Sequence, residues 1–300
     1  MHHRTDLHPY QDRAIDYAIG KGRCMLALDM GLGKSISTLT AVSDLLDACL
    51  VGRVLVIAPL RVANSVWIQE AQKWEHTRHL TVSVVTGSAK ARAAALFTTA
   101  DIYVINRENL VWLVSQYRLD KWPYDMIVVD ESSSFKNHSA KRFKALRKML
   151  PAVDRMVLLT GTPSPNGLQD LWAQMYLIDY GQRLGRTVSA FRQRFCKPSG
   201  FGGYKWILRE GSQEEIEALV SDVIMHMSGD DYLDLPARID LTEVVTLPPA
   251  AMDDYLALET ELFLALPDGE EVEVMFAAAL GNKLMQFCIA EGTQVLTKTG

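Results

Sequence analysis

Cys24-Met25-Leu26-Ala27-Leu28-Asp29-Met30-Gly31-Leu32-Gly33-Lys34-Ser35 runs from five apolar residues through two glycines to a lysine and a hydroxyl. The apolar run reads as a buried strand, and Ile36, Leu39, Val42, Leu46 and Cys49 then recur at helical spacing. Strand, glycine turn and helix in that order form a cradle for phosphate. Small residues let backbone N–H groups approach the oxygens, a lysine meets the terminal phosphates, and a hydroxyl can ligate Mg²⁺. Met30, Gly31, Leu32, Gly33, Lys34 and Ser35 are therefore the expected phosphate loop, with Ser35 the expected Mg²⁺ ligand. The full pattern GxxxxGK[ST] would need glycine at position 28, where Leu28 stands.

Five more short apolar or β-branched runs come after it, at residues 54–58, 81–85, 102–105, 126–129 and 156–159, separated by helical patterns such as residues 63–74. This alternation predicts an α/β fold: a parallel sheet with helices on both faces, closed by a helix over residues 168–178. The fourth of these runs ends in Asp130-Glu131. Apolar residues leading into paired acids put both carboxylates at the carboxyl edge of a parallel sheet, where such folds bind ligands. Asp130 is expected to act on the metal and Glu131 to polarise the attacking water. The last run ends in Thr160-Gly161-Thr162-Pro163, whose hydroxyls could sense the γ-phosphate.

These features together resemble the Swi/Snf-like branch of superfamily 2 helicases and translocases, especially compact versions from bacteriophages. Leu7-His8-Pro9-Tyr10-Gln11 is similar to that family's adenine-reading motif, with Gln11 as the implied base contact, and residues 29–35 resemble its motif I. Val56-Ile57-Ala58-Pro59-Leu60, with Trp67 and Glu70 beyond, resembles motif Ia, and Ile105-Asn106-Arg107-Glu108-Asn109-Leu110 resembles motif Ib. Asp130-Glu131 with Lys136-Asn137 resembles motif II. Leu159-Thr160-Gly161-Thr162-Pro163 with Asn166 and Leu171-Trp172 is similar to motif III. The resemblance implies a RecA-like lobe that binds and hydrolyses ATP with Mg²⁺. It also implies DNA, duplex by preference, across the face of Pro59, Arg61, Asn106 and Arg107, with Thr160, Gly161 and Thr162 coupling the two sites. Motif II of the family continues Asp-Glu-x-His, whereas Ser132 and Ser133 stand here, so the coupling histidine is absent.

Residues 1–180 are thus expected to form the first RecA-like lobe, and 181–235 an appended helical and Gly-aromatic element. Within the latter, residues 214–227 read as one helix, and Tyr204 and Trp206 flank a glycine cluster. Residues 236–287 read as a linker and the start of a second, incomplete lobe: a strand over 239–247, then helices over 248–266 and 272–287. Arginines of that second lobe would complete the ATP site. Residues 288–300, opening with Cys288-Ile289-Ala290-Glu291-Gly292-Thr293, resemble the start of an intein, whose Cys288 would be the splicing nucleophile attacking the Phe287 carbonyl. The bland alternative is a small buried cysteine at a helix end. The His and terminal Asn that splicing requires are not among these residues, so a second polypeptide carrying lobe two and the rest of the intein is an expected partner.

The composition, 48% apolar and 22% charged, is that of an ordinary globular protein. No apolar run approaches a membrane span and the start is too polar for a secretory signal, which predicts a cytoplasmic protein, in a bacterial host if phage-encoded. Four scattered cysteines argue against a disulfide framework or zinc site. Basic residues outnumber acidic ones by 21 to 17 up to position 180, and acidic outnumber basic by 19 to 10 beyond it. A polyanion would then meet the first portion. Lys136, Lys141, Arg142, Lys144, Arg147 and Lys148 form either a phosphate-contacting helix face or a solvated one. Two other readings stay open: a nucleotide-dependent DNA-binding module without hydrolysis, and the remnant of a truncated gene.

Overall fold

The computed structural model describes residues 1–163, 168–199 and 205–232, and the helical residues 249, 252, 253, 255 and 256. The chain forms two compact units, Met1–Leu235 and Pro236–Gly300. The second is described only at those five positions. The expectations for Tyr204, the glycine cluster, the strand over 239–247, the helix over 272–287 and Cys288 lie outside the described residues.

The described residues of the first unit form nine strands: β1 (Arg23–Leu28), β2 (Val54–Ala58), β3 (Val82–Val85), β4 (Ile102–Asn106), β5 (Met126–Asp130), β6 (Arg155–Thr160), β7 (Cys196–Ser199), β8 (Lys205–Leu208) and β9 (Ile224–Met227). Seven form one sheet in the order β3-β4-β2-β5-β6-β1-β9, every adjacent pair parallel. β7 and β8 pair separately as an antiparallel hairpin.

The strands are apolar throughout because both faces are covered. Met25, Leu55, Ile105, Ile127 and Leu158 belong to one core; Leu26, Val56, Val104, Val128 and Leu159, each one position away in its strand, belong to the other. This period-two division is what side chains on a pleated sheet must show. One face is packed by α1 (Pro9–Lys21), α2 (Lys34–Asp47) and α3 (Leu60–Lys73) through Ala14, Ile36, Leu39 and Trp67. Beyond the short α4 (Ala89–Phe97), the other face is packed by α5 (Leu110–Ser115), α6 (Lys141–Met149), α7 (Leu171–Asp179), α8 (Val188–Phe195) and α9 (Ser212–Val220), through Leu113, Phe143, Trp172, Phe191 and Ile216. α7 is fixed at its carboxyl end by the Arg23 guanidinium, which donates to the Leu177 and Ile178 carbonyls and, across the chain, to Val153 O. A cation at the negative end of a helix satisfies carbonyls that have no partner within it.

One element departs from expectation. Residues 214–227 are not a single helix: α9 ends at Val220, and Ile224–Met227 extend as β9 beside β1, with Met25 opposite Ile224 and Leu28 opposite Met227. β1 would otherwise be an unpaired sheet edge, and pairing there outweighs the weak local preference of a four-residue segment. The sheet therefore takes its seventh strand from the segment read as appended. Among the described residues no helix is long and apolar enough to cross a membrane.

Candidate nucleotide site

The sheet order places the carboxyl ends of β5, β6 and β1 side by side, so the turns carrying Asp130-Glu131, Thr160-Gly161-Thr162 and Asp29–Ser35 meet at one edge. The loop after β1 is held at three points. Leu32 is fully buried in the core between α1 and α2. Asp29 accepts from the Gly229 N–H (2.9 Å) through Oδ2, and its own N–H donates to Met227 O, which ties the loop to the end of β9. Gln11, only 6% exposed, accepts from the His8 N–H at 2.9 Å and donates to Leu32 O at 3.4 Å. Read as the base contact, Gln11 is here a strut between α1 and the loop. Contact with adenine would exchange the longer of its two bonds. Met30, by contrast, leaves its side chain 84% exposed.

Gly31 and Gly33 take φ of +88° and +74°, the left-handed region that favours glycine. Gly33 caps α2 without a side-chain acceptor, and the first turn of α2 has no acidic residue. Its leading N–H groups are thus left for an anion. A Cβ at Gly33 would overlap Gln11 Nε2 and crowd Ile36 Cγ2 at 3.2 Å. Gly33→Ala is expected to cost about 1–2 kcal/mol in stability from the left-handed backbone and to displace the Gln11 strut, so that nucleotide affinity falls by more than the melting temperature alone would suggest. Paired calorimetric titration and thermal melts check this.

Lys34 Nζ donates to Leu28 O at 2.7 Å and to Asp29 O at 3.2 Å. Burial pushes its pKa down, against the pull of Glu131, Asp130 and Asp29. A half-buried ammonium held by two carbonyls favours an incoming anion. Burial raises the Asp130 carboxyl above its ordinary value, opposed by the N–H of Trp67, which donates to Oδ2 at 3.2 Å. The Asp130 carboxylate and the Ser35 hydroxyl are hard oxygen donors of the kind Mg²⁺ prefers, and a bound divalent cation would reverse the upward shift. Glu131 sits at φ +53°, an uncommon conformation for a non-glycine residue and one that collects at functional sites.

The neighbouring turn is closed on itself. Thr160, 1% exposed, accepts from the Thr162 N–H at 3.1 Å and donates to Thr162 O at 3.0 Å. Gly161 lies against Leu28 O, 3.7 Å from where its Cβ would stand.

At the carboxyl ends of β2 and β4, Pro59 caps α3 and Arg61 is exposed on its first turn. Asn106 does not share that exposure. It is 5% exposed, and its amide donates to Glu108 and accepts from Asn109, so its side chain builds the turn instead of facing outward. Arg107 pairs with Glu108 and lines a groove of about 480 Å³ together with Lys141 and Arg142. The groove joins the basic α6 to the residues expected to meet DNA. Trp206 packs against the core with the Arg192 guanidinium 5.4 Å from its ring centre.

Trp67, Asp29 and Gln174 gain roles that no sequence feature had assigned them. Gln174 carries a signal in retrospect, as the one polar residue in Leu171-Trp172-Ala173-Gln174-Met175-Tyr176-Leu177-Ile178. A buried amide in an apolar helix needs a partner.

Fold and site together define a P-loop protein with a RecA-like parallel sheet. The profile of the SNF2-related domain matches residues 10–286, and the chain belongs to that family. It is 42% identical over 294 residues to "Putative protein p41" of Acyrthosiphon pisum secondary endosymbiont phage 1, covering 95% of this chain and 63% of that protein. It is 31% identical over 212 residues to the human "DNA excision repair protein ERCC-6-like", covering 66% of this chain and 16% of that protein. Among solved structures, the Sulfolobus solfataricus SWI2/SNF2 ATPase core in complex with dsDNA superposes with a TM-score of 0.65 at 27% identity, covering 96% of this chain and 60% of that one. The chain thus spans less than two thirds of the length of these relatives.

Proposed function

We propose that the chain carries the nucleotide-gripping lobe of an ATP-hydrolysing translocase or helicase acting on duplex DNA. The observation that carries this reading is the uncapped start of α2 at Gly33-Lys34-Ser35, set two strands from Asp130-Glu131 on the same sheet edge. The loop from Met30 to Gly33 and Lys34 receive the phosphates, and Gln11 meets adenine. Ser35 and Asp130 hold Mg²⁺, which supplies neutralisation of charge developing on the phosphate oxygens. Glu131 orients the water, and Thr160, Gly161 and Thr162 pass the state of the site onward. Pro59, Arg61, Arg107 and the groove with Lys141 and Arg142 contact the DNA backbone; Asn106 shapes that turn from within. The solved relative bound to dsDNA supports duplex over single strand. Arginines from a second lobe complete the site.

Phosphate release, with and without duplex DNA, from this chain and from the protein carrying both lobes tests the reading. Duplex-stimulated release by the two-lobed protein is expected. Negligible release by both would leave a DNA-binding module that uses nucleotide without hydrolysing it.

We further infer that Cys288 opens an intein, on the resemblance of residues 288–300 and the coincident end of the family match at residue 286. Its thiol attacks the Phe287 carbonyl, the amide becomes a thioester, and the Cys288 amine is released. Cys288→Ala is expected to abolish thiol-induced cleavage after Phe287 when the complementary half is present. Cleavage persisting in that variant refutes the assignment.

A further inference from the structure

We infer that Ser132 and Gln174 are positioning residues that form a hydrogen-bonded rod from the Asp130-Glu131 turn to the Thr160–Pro163 turn, in place of the absent motif II histidine. The inference rests on the proposed nucleotide role of Asp130 and Glu131.

Ser132 and Gln174 are both fully buried, and Ser132 Oγ lies 2.7 Å from Gln174 Oε1. Gln174 Nε2 lies 2.6 Å from Pro163 O and 3.3 Å from Asp170 O. Carbonyl oxygens cannot donate, so the amide nitrogen must face Pro163 and Asp170 and the amide oxygen must face Ser132. The hydroxyl is then the donor, and the chain has a single direction: Ser132 to Gln174 to Pro163.

Three features make the rod stiff. Ser132 comes directly after Glu131, at the start of a short 3₁₀ turn, Ser132–Phe135, and so moves with the acidic pair. Neither side chain is reached by solvent, so no water can replace a broken bond between them. A second bridge joins the same two segments, Lys136 to Asp170 at 3.2 Å. Packing alone does not require the bond between the two side chains, since alanine and leucine would fill the same space without polar side-chain atoms of their own. A shift of Asp130-Glu131 on nucleotide binding is therefore carried through Gln174 to the Thr160–Pro163 turn.

Hydrogen exchange of this chain with and without ATP·Mg²⁺ tests the rod. In the wild type, nucleotide is expected to slow exchange in the loop over 29–35 and, by about tenfold, at the Gly161 and Thr162 amides. In Ser132→Ala and in Gln174→Leu the first response stays and the second falls to less than about threefold. Ser132→Thr keeps the hydroxyl and restores it. The double variant loses the second response no further than either single variant. It melts no lower than Gln174→Leu, because both lose the donor to Pro163 O and the double variant no longer strands the Ser132 hydroxyl. This keeps the test open if one single variant fails to fold. Protection at 29–35 with no response at 161 and 162 in the wild type, or a response that survives in folded Ser132→Ala, overturns the inference alone. No protection at 29–35 in the wild type instead sinks the nucleotide reading, and the rod with it.

Discussion

Lys34→Ala is expected to weaken ATP·Mg²⁺ binding by about 30- to 150-fold, the equivalent of about 2–3 kcal/mol for one charge-assisted contact, and to lower phosphate release by the two-lobed protein by about 10²–10³. The ammonium is half-buried and held, among the described residues, by the Leu28 and Asp29 carbonyls, in a site where three carboxylates favour a cation. Removing it leaves Asp29, Asp130 and Glu131 facing a polyphosphate with no lysine between them. Like charges so placed disfavour the ligand directly, so the loss should appear in affinity as well as in turnover. The fold should survive, because the loop keeps its anchors at Leu32, Gln11 and Asp29. Calorimetric titration and steady-state phosphate release measure the two effects.

Glu131→Gln separates the steps that Lys34 combines. The amide has the size of the carboxylate and keeps the backbone at φ +53° within what the wild type already adopts. Affinity for ATP·Mg²⁺ should stay within about threefold, while phosphate release falls by about 10²–10⁴, the usual contribution of a general base. Asp130 should not behave this way. It is the carboxyl tied to Trp67 and pushed up by burial, and its loss should weaken Mg²⁺-dependent binding as well as turnover. Hydrolysis that persists in Glu131→Gln would move the base to another residue.

Much of the site was legible in the sequence because a parallel sheet covered on both faces writes itself as apolar runs that end in polar turns. Residues 24–28, 126–129 and 156–159 announce three strands, and the polar residues at the end of each run occupy the carboxyl edge of the sheet. The loop, the acidic pair and the Thr-Gly-Thr-Pro turn are therefore all legible in the sequence alone. Contacts across long stretches of chain were not legible. β9 is a four-residue segment whose strand character depends on the free edge of β1, about 200 positions earlier. The Ser132 to Gln174 bond spans 42 positions, and the tie from Asp29 to Gly229 spans 200. Asn106 misled for the same reason. A polar residue at a strand end looks available until Glu108 and Asn109 are seen to hold its amide.

Trp67 gives the site a physical link to the proposed DNA face. It lies on α3, whose first turn carries Arg61, and its ring N–H holds Asp130. The carboxyl proposed to hold the metal therefore rests on the helix that Pro59 caps, and movement of that helix against the sheet would alter the bond.

Titration of this chain with ATP, with and without Mg²⁺ and beside Lys34→Ala, tests most directly whether the loop between β1 and α2 grips nucleotide. Saturable one-to-one binding is predicted, strengthened by Mg²⁺ and weakened at least about tenfold in the variant. Binding that is absent, or equal in the wild type and Lys34→Ala, would contradict it.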